Sequence, residues 1–290
     1  MKYEMACESF CIMLKNYKPR IKTLLLSGKE RNALRMNRRW KNKYESQRCF
    51  IIGNGPSLAK QNISCLRNEK IFTVNQIMRS ELYNDLNSEF HVIMDPLYFS
   101  GNINESQKES VLENLKKIHP NTECFFPVKS MHFFEENPFD HFRQNFIYCE
   151  YLMQRNEKRP VDLTKCCFAY SNVVQFAIEI AIYMGFSSIY LLGCDMTGYK
   201  EIEQFATGVF NEQTHIYYEN KKMMENTLHK DRTCEKWFAG FAKMFEDYGL
   251  LYSYARRKNI KLINLTEGGI LDSLPREKLE NVVNKFKTNY

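Results

Sequence analysis

Cys49-Phe50-Ile51-Ile52-Gly53-Asn54-Gly55-Pro56-Ser57-Leu58 decides how the rest of the chain is read. A short apolar run stops at a glycine-rich turn, the pattern of a buried strand that delivers the chain to a ligand. Two glycines permit tight backbone geometry and close approach. Pro56 suits the first turn of a helix-like segment, where a missing N–H costs little. Amides exposed at such a turn attract phosphate, and Asn54 and Ser57 add side-chain hydrogen bonds. No Gly-Lys-Ser/Thr follows, so the stretch is not a P-loop. Leu58 also stands where the third glycine of G-x-G-x-x-G belongs. A plain structural turn is the competing reading.

Downstream, residues 71–75, 91–95, 124–127, 188–193 and 261–264 repeat the pattern of an apolar run ending in a polar residue or a breaker. Parallel strands whose carboxyl ends line a crevice have this form. The landmarks at those ends are Asn54, Asn75, Asp95, Asp195, Asn264 and Thr266. Neutral amides predominate among them, which suits hydrogen bonding to a nucleotide and sugars; a metal cage would need more carboxylates. Ser171 and Asn172 cap a helix over residues 173–184 that is apolar on nearly every side and therefore buried. Residues 197–230 are polar and hold glycines and tyrosines, as a mobile lid would. Trp237, Phe238, Phe241, Phe245, Tyr248 and Tyr252 then recur at helical spacing, which reads as core and not as a base-stacking platform. Residues 131–160 show no period and read as an irregular, lid-like insertion. Strand–helix alternation points to an α/β fold: a single Rossmann-like, doubly wound, mostly parallel sheet over residues 46–290.

Residues 1–45 form a basic helical segment ahead of that domain. Phe10, Met13, Leu14, Tyr17, Leu24, Leu25 and Leu26 are its expected apolar anchors, and Pro19 separates two helices. Much of the net charge of +7 lies here. Such a run faces an anionic membrane or is merely a solvated helical face. No nucleic-acid-binding motif accompanies it, so nucleic acid is not an expected partner.

Hydrophobic residues make up 44% and charged residues 26% of the 290, an ordinary balance for a globular protein. No apolar run approaches the ~20 residues that span a bilayer, and the charged opening lacks a signal-peptide core. The expectation is a cytoplasmic protein, peripheral to the membrane at most. The ten cysteines contain no CxxC pair. Cys49, Cys65 and Cys194 lie in apolar surroundings that suit buried free thiols.

Of the six histidines, His215 stands apart, in Thr214-His215-Ile216-Tyr217-Tyr218 within the expected lid. A histidine there suits a general base, and a structural histidine is the alternative. No nucleophile elbow or Ser/His/Asp arrangement supports covalent catalysis.

Three quoted stretches together carry a resemblance: the turn at Gly53–Ser57, Val74-Asn75-Gln76, and Gly185-Phe186 leading to Ile189-Tyr190-Leu191-Leu192-Gly193-Cys194-Asp195. They resemble the bacterial sialyltransferases of glycosyltransferase family 42. They equally resemble a wider set on the same core, the motility-associated factor glycosyltransferases and the hydroxymethylpterin diphosphokinases. The ending Asn264-Leu265-Thr266-Glu267-Gly268-Gly269 is more similar to the wider set.

The resemblance to the sialyltransferases implies that Asn54, Ser57 and Asn75 bind the CMP part of a CMP-sugar, and the glycine-rich turn places Gly53 and Gly55 at the same expected site. It implies donor contacts from Ser171, Asn172 and Asp195, a base at His215 and a phosphate contact from Tyr217; Asp95 and Thr266 complete the expected crevice. An arginine that family carries is replaced by Phe168-Ala169-Tyr170, and a tyrosine by Thr197, which leaves the donor sugar open. The implied activity is inverting transfer of sialic acid or a related acidic sugar to a surface glycan or glycolipid acceptor, such as lipopolysaccharide. No cofactor is obligatory, Mg²⁺ is admitted, and a homo-oligomer is compatible. One alternative is an Mg²⁺-dependent diphosphokinase in which Asp95, Asp195 and Glu267 converge. Another is a non-catalytic nucleotide-binding scaffold in glycan assembly.

Overall fold

The computed structural model describes residues 22–95, 98–99, 105–150, 160–209, 214–216 and 233–284. The strands are β1 (Arg48–Ile52), β2 (Lys70–Val74), β3 (Phe90–Val92), β4 (Glu123–Pro127), β5 (Arg143–Ile147), β6 (Cys149–Glu150), β7 (Cys167–Phe168), β8 (Ser188–Leu192) and β9 (Lys261–Asn264). The helices are α1 (Gly28–Met36), α2 (Leu82–Asp85), α3 (Glu105–Lys116), α4 (Met131–Glu136), α5 (Val173–Tyr183), α6 (Gly198–Thr207), α7 (Cys234–Arg257) and α8 (Leu279–Asn284).

Seven strands form one sheet in the order β5-β4-β3-β2-β1-β8-β9, every pairing parallel. The chain winds outward from β1 to β5, then returns to lay β8 on the other side of β1. That reversal is the topological switch point where α/β sheets bind ligands. The apolar runs cover both faces by simple alternation. Cys49 and Ile51 of β1, Phe72 of β2 and Leu191 of β8 join one core, with α5 and Tyr248 of α7. Phe50 and Ile52, Ile71, and Tyr190 and Leu192 join the other, with Leu115 of α3 and Phe133 of α4. This is why these strands lack a polar face. The fold class read from the sequence is the one observed.

Three expectations are corrected. Residues 131–160 are not an irregular insertion throughout: 131–136 are helical and 143–147 form the edge strand β5. The polar letters of β5 concealed it, because Asn145 faces the N-terminal segment and not the apolar core. Its Oδ1 accepts from Trp40 Nε1 at 3.0 Å and from Arg39 Nη2 at 2.8 Å. Leu24 and Leu25 are exposed and anchor nothing among the described residues; Leu34, Trp40 and Tyr44 are buried in their place. Phe10, Met13, Leu14 and Tyr17 lie outside the described residues. Cys65 is exposed, whereas Cys49 and Cys194 are buried free thiols. Among the described residues no helix is long and apolar enough to cross a membrane.

One buried group sets an acid limit. His91 of β3 is fully buried, with Nδ1 2.8 Å from Thr73 Oγ1. Burial pushes its pKa from 6.5 down to about 3, against a smaller upward pull from the Asn75 backbone. The folded state therefore holds the imidazole neutral, while the unfolded chain protonates it near 6.5. Stability is expected to fall progressively as pH drops below that value, toward the folded pKa. Urea midpoints at several pH values between 7 and 4 check this, and His91→Gln should flatten the slope. An unchanged slope in the variant would assign the acid sensitivity elsewhere.

Candidate functional site

The turn after β1 climbs beside β8. Gly53 N donates to Leu192 O and Gly55 N to Gly193 O, both at 2.8 Å. Gly55 is required by space: a Cβ there would lie 1.6 Å from Asp195 Oδ2 and 2.6 Å from Gly193 O. Pro56 opens a 3-10 helix over Pro56–Lys60. Asp195 closes it, accepting from Ser57 N at 3.1 Å and from Ser57 Oγ at 2.7 Å. Burial pushes the Asp195 carboxyl up, and the Ser57 hydrogen bonds pull it partly back. The aspartate thus joins the ends of β1 and β8 and holds the cavity-facing turn in shape.

Above this junction is a cavity of about 590 Å³. Its floor is formed by residues at the ends of β1, β2 and β8, and its walls by the start of α5, by α6 and by one face of α7. It brings together Asn54, Gly55, Asn75, Ser171, Asn172, Asp195 and His215 from the sequence-derived set. Asn172 caps α5, accepting from Val174 N at 2.8 Å. That helix therefore points its amino end, with its positive dipole, into the cavity. The buried oxygens Asn54 Oδ1, Asn75 Oδ1 and Tyr248 Oη have no hydrogen-bond partner among the described residues. An unmet buried polar atom costs about 1–3 kcal/mol, so these three invite a ligand that completes them. The two amide oxygens accept, so the complementary groups are hydroxyls or N–H donors.

His215 lines the cavity from the short described stretch 214–216. Ile216 N donates to Asn54 O at 2.8 Å, which anchors residues 214–216 on the turn after β1. His215 Nδ1 lies 2.9 Å from Glu201 Oε1, on α6. Thr214 Oγ1 donates to the same carboxylate oxygen. Burial would raise the Glu201 carboxyl, but the His215 hydrogen bond and charge, with Thr214, hold it below its ordinary value. The stabilisation Glu201 lends residues 214 and 215 is present above the unfolded carboxyl pKa of ~4.3. It is lost as pH falls through the lower folded value.

Sequence reasoning missed Glu201, since residues 197–230 read as polar loop whereas 198–207 are helical. Tyr199 and Ile202 at helical spacing were a legible signal for the helix. Nothing local pairs Glu201 with a histidine 14 positions later. Of the α7 aromatics read as core, Tyr248 is in the core and Phe241, Phe245 and Tyr252 pack against it; Trp237, Phe241 and Tyr248 also line the cavity, and Phe238 is exposed.

Other members of the expected set lie away from the cavity. Gly53 sits beneath it, and Ser57 is held by Asp195. Asp95 does not line it. Thr266 Oγ1 accepts from Cys194 N at 2.9 Å, which ties the end of β8 to that of β9, and Asn264 Oδ1 accepts from Thr266 N at 3.0 Å, which shapes the turn after β9. Tyr217 lies outside the described residues. Of the carboxylates expected to gather around Mg²⁺, only Asp195 lines the cavity, where it is bonded to Ser57, and among the described residues no three His, Cys, Asp or Glu side chains are grouped to hold a metal. The residues described therefore do not fit that metal arrangement.

The model of the family described as 6-hydroxymethylpterin diphosphokinase MptE-like matches residues 29–201, more than half of the chain. The match runs from α1 to Glu201 and stops short of His215. Among solved structures, the chain is similar to the sialyltransferase CST-II in complex with a trisaccharide acceptor and CMP. The identity is 13% and the TM-score 0.43, over 79% of this chain and 85% of that one. No curated protein matches the chain.

Proposed function

The chain belongs to the MptE-like family, and we propose that this member is a nucleotide-dependent transferase acting as an inverting glycosyltransferase on a CMP-activated sugar. The observation that carries this reading is the His215–Glu201 pair at 2.9 Å, tethered through Ile216 to the Asn54 turn. Glu201 accepts the Nδ1 proton, which makes Nε2 the basic nitrogen of the ring. In the step proposed, the acceptor hydroxyl oxygen attacks the anomeric carbon while its proton passes to His215 Nε2. The bond from that carbon to the phosphate oxygen breaks, and its electron pair leaves with CMP, so the configuration inverts. The charge growing on the leaving phosphate meets the amino end of α5 at Ser171 and Asn172. Asn54 Oδ1 and Asn75 Oδ1 are suited to hydroxyl or amino groups of the nucleoside.

A second reading, diphosphoryl transfer from ATP to a small alcohol, is favoured by the family match itself. The non-convergence of Asp95, Asp195 and Glu267 weighs against the metal arrangement it needs. Thermal-shift titration of the full chain with CMP, CDP, UDP, GDP and ATP, each with and without Mg²⁺, separates the two. A ligand at 100 times its Kd adds roughly 2.7 kcal/mol of stability to the folded state. CMP is expected to raise the Tm whether or not Mg²⁺ is present. A shift confined to ATP with Mg²⁺ would replace the first reading by the second.

A further inference from the structure

The cations of residues 22–43 divide on the surface into paired and unpaired side chains. This stretch holds eight lysines and arginines and one acid, Glu30. Glu30 is tied back to Ser27 in a capping box at the start of α1. Buried Leu34 packs with Val128, Tyr148 and Cys166 and sets the inner face of that helix. At 100° per residue, Glu30 lies near Leu34 on the inner side, while Lys29, Asn32, Arg35 and Met36 lie on the outer one. Arg35, Arg38, Lys41 and Lys43 are exposed and have no ion pair among the described residues. Large apolar side chains stand among them: Leu24 is 70%, Leu25 79% and Met36 60% exposed. Arg31 Nη1 donates to Leu24 O at 2.9 Å, which holds the leucine pair beside the cationic helix.

A solvated helical face explains the charges but not three bare apolar side chains beside them. Lys22, Lys29 and Arg39 are paired with Glu150, Glu135 and Glu123 of other elements, which leaves Arg35, Arg38, Lys41 and Lys43 as the exposed positive charges beside those side chains. Cations beside exposed leucines match an anionic bilayer, which takes charge at the headgroups and leucine side chains just beneath them. We propose that Leu24, Leu25 and the outward face of α1, continued by Arg38, Lys41 and Lys43, form a docking surface for an anionic phospholipid membrane. This inference is independent of the reaction assigned above.

The test is co-sedimentation of the full chain with vesicles of phosphatidylcholine alone or mixed with phosphatidylglycerol. Each lysine or arginine near an anionic surface contributes about fivefold in partition. Binding is expected to the anionic vesicles only, weakening as salt rises, since such attraction is screened within about 10 Å at ~0.1 M. Arg35→Glu with Arg38→Glu should weaken it at least tenfold. Leu24→Ser with Leu25→Ser should weaken it at low and high salt alike. Both pairs are exposed, and an unchanged Tm verifies folding. If one pair unfolds the protein, the other still decides, together with hydrogen-exchange protection of residues 22–43 on vesicles. The proposal is overturned if the wild type ignores anionic vesicles at low salt or if a folded double variant binds as the wild type does. Preference for an RNA or DNA oligonucleotide with vesicles left unbound would overturn it equally.

Discussion

Replacing His215 by alanine is expected to lower turnover by roughly 10²–10⁴-fold, the contribution of a positioned acid or base. The CMP-induced thermal shift should change little, because the ring would face the incoming hydroxyl and not the nucleoside. Glu201→Gln is the informative companion. Glutamine keeps an oxygen to accept from Nδ1 but removes the negative charge that stabilises the imidazolium formed as the proton arrives. A loss of roughly tenfold or more in kcat with KM nearly unchanged is expected, since the effect is confined to the transition state. Glu201→Ala should cost more, because Thr214 and His215 then lose their shared partner. Transfer to a verified acceptor measures all three. If the His215 variant keeps most of its activity, the residue is structural and the reaction must be redrawn. If His215→Ala is inactive while Glu201→Gln is as active as wild type, only the positioning role fails.

The second large effect is steric. Gly55→Ala places a methyl group 1.6 Å from Asp195 Oδ2 and 2.6 Å from Gly193 O. Both obstacles are fixed: the carboxylate holds Ser57, and the carbonyl belongs to the end of β8. Either the turn lifts off β8 or Asp195 releases the 3-10 helix. Overpacking of this kind costs about 1–3 kcal/mol, which lowers the Tm by several degrees. CMP binding should weaken in parallel, because the displaced turn carries Asn54. Gly249→Ala in α7 is the control, since a Cβ there meets nothing within 4 Å. That helical substitution should stabilise by about 0.5–1 kcal/mol. A Gly55→Ala protein with wild-type Tm and undiminished nucleotide binding would show that the junction of β1 and β8 yields more easily than its geometry implies.

The strands that position the cavity were legible because burial on both faces leaves a local trace. Residues 49–52 and 189–192 are uninterrupted apolar runs, 71–74 is broken only by Thr73, and the breaker after each marks where the crevice lies. The capping of α5 by Asn172 is likewise a short-range effect, written in neighbouring residues. β5 was not legible, because its buried polar residue Asn145 answers Trp40 and Arg39, about a hundred positions away in the chain. The role of Asp195 followed the same rule. Its place at a strand end was readable, but its hydrogen bonds to Ser57 exist only once β8 lies beside β1. Trp237, Phe241 and Tyr248 have the spacing of any buried helix, and only packing against α6 and the strand ends turns that face into a cavity wall. Glu201 and His215 meet because α6 and the anchored residue Ile216 bring them together, a contact no periodicity encodes. By itself the sequence determined the parallel sheet and the edge where a ligand would bind, since hydrophobic alternation and breakers act over a few residues. The tertiary structure alone decided which polar atoms there are satisfied by the protein and which are not, because hydrogen-bond partners come from distant elements.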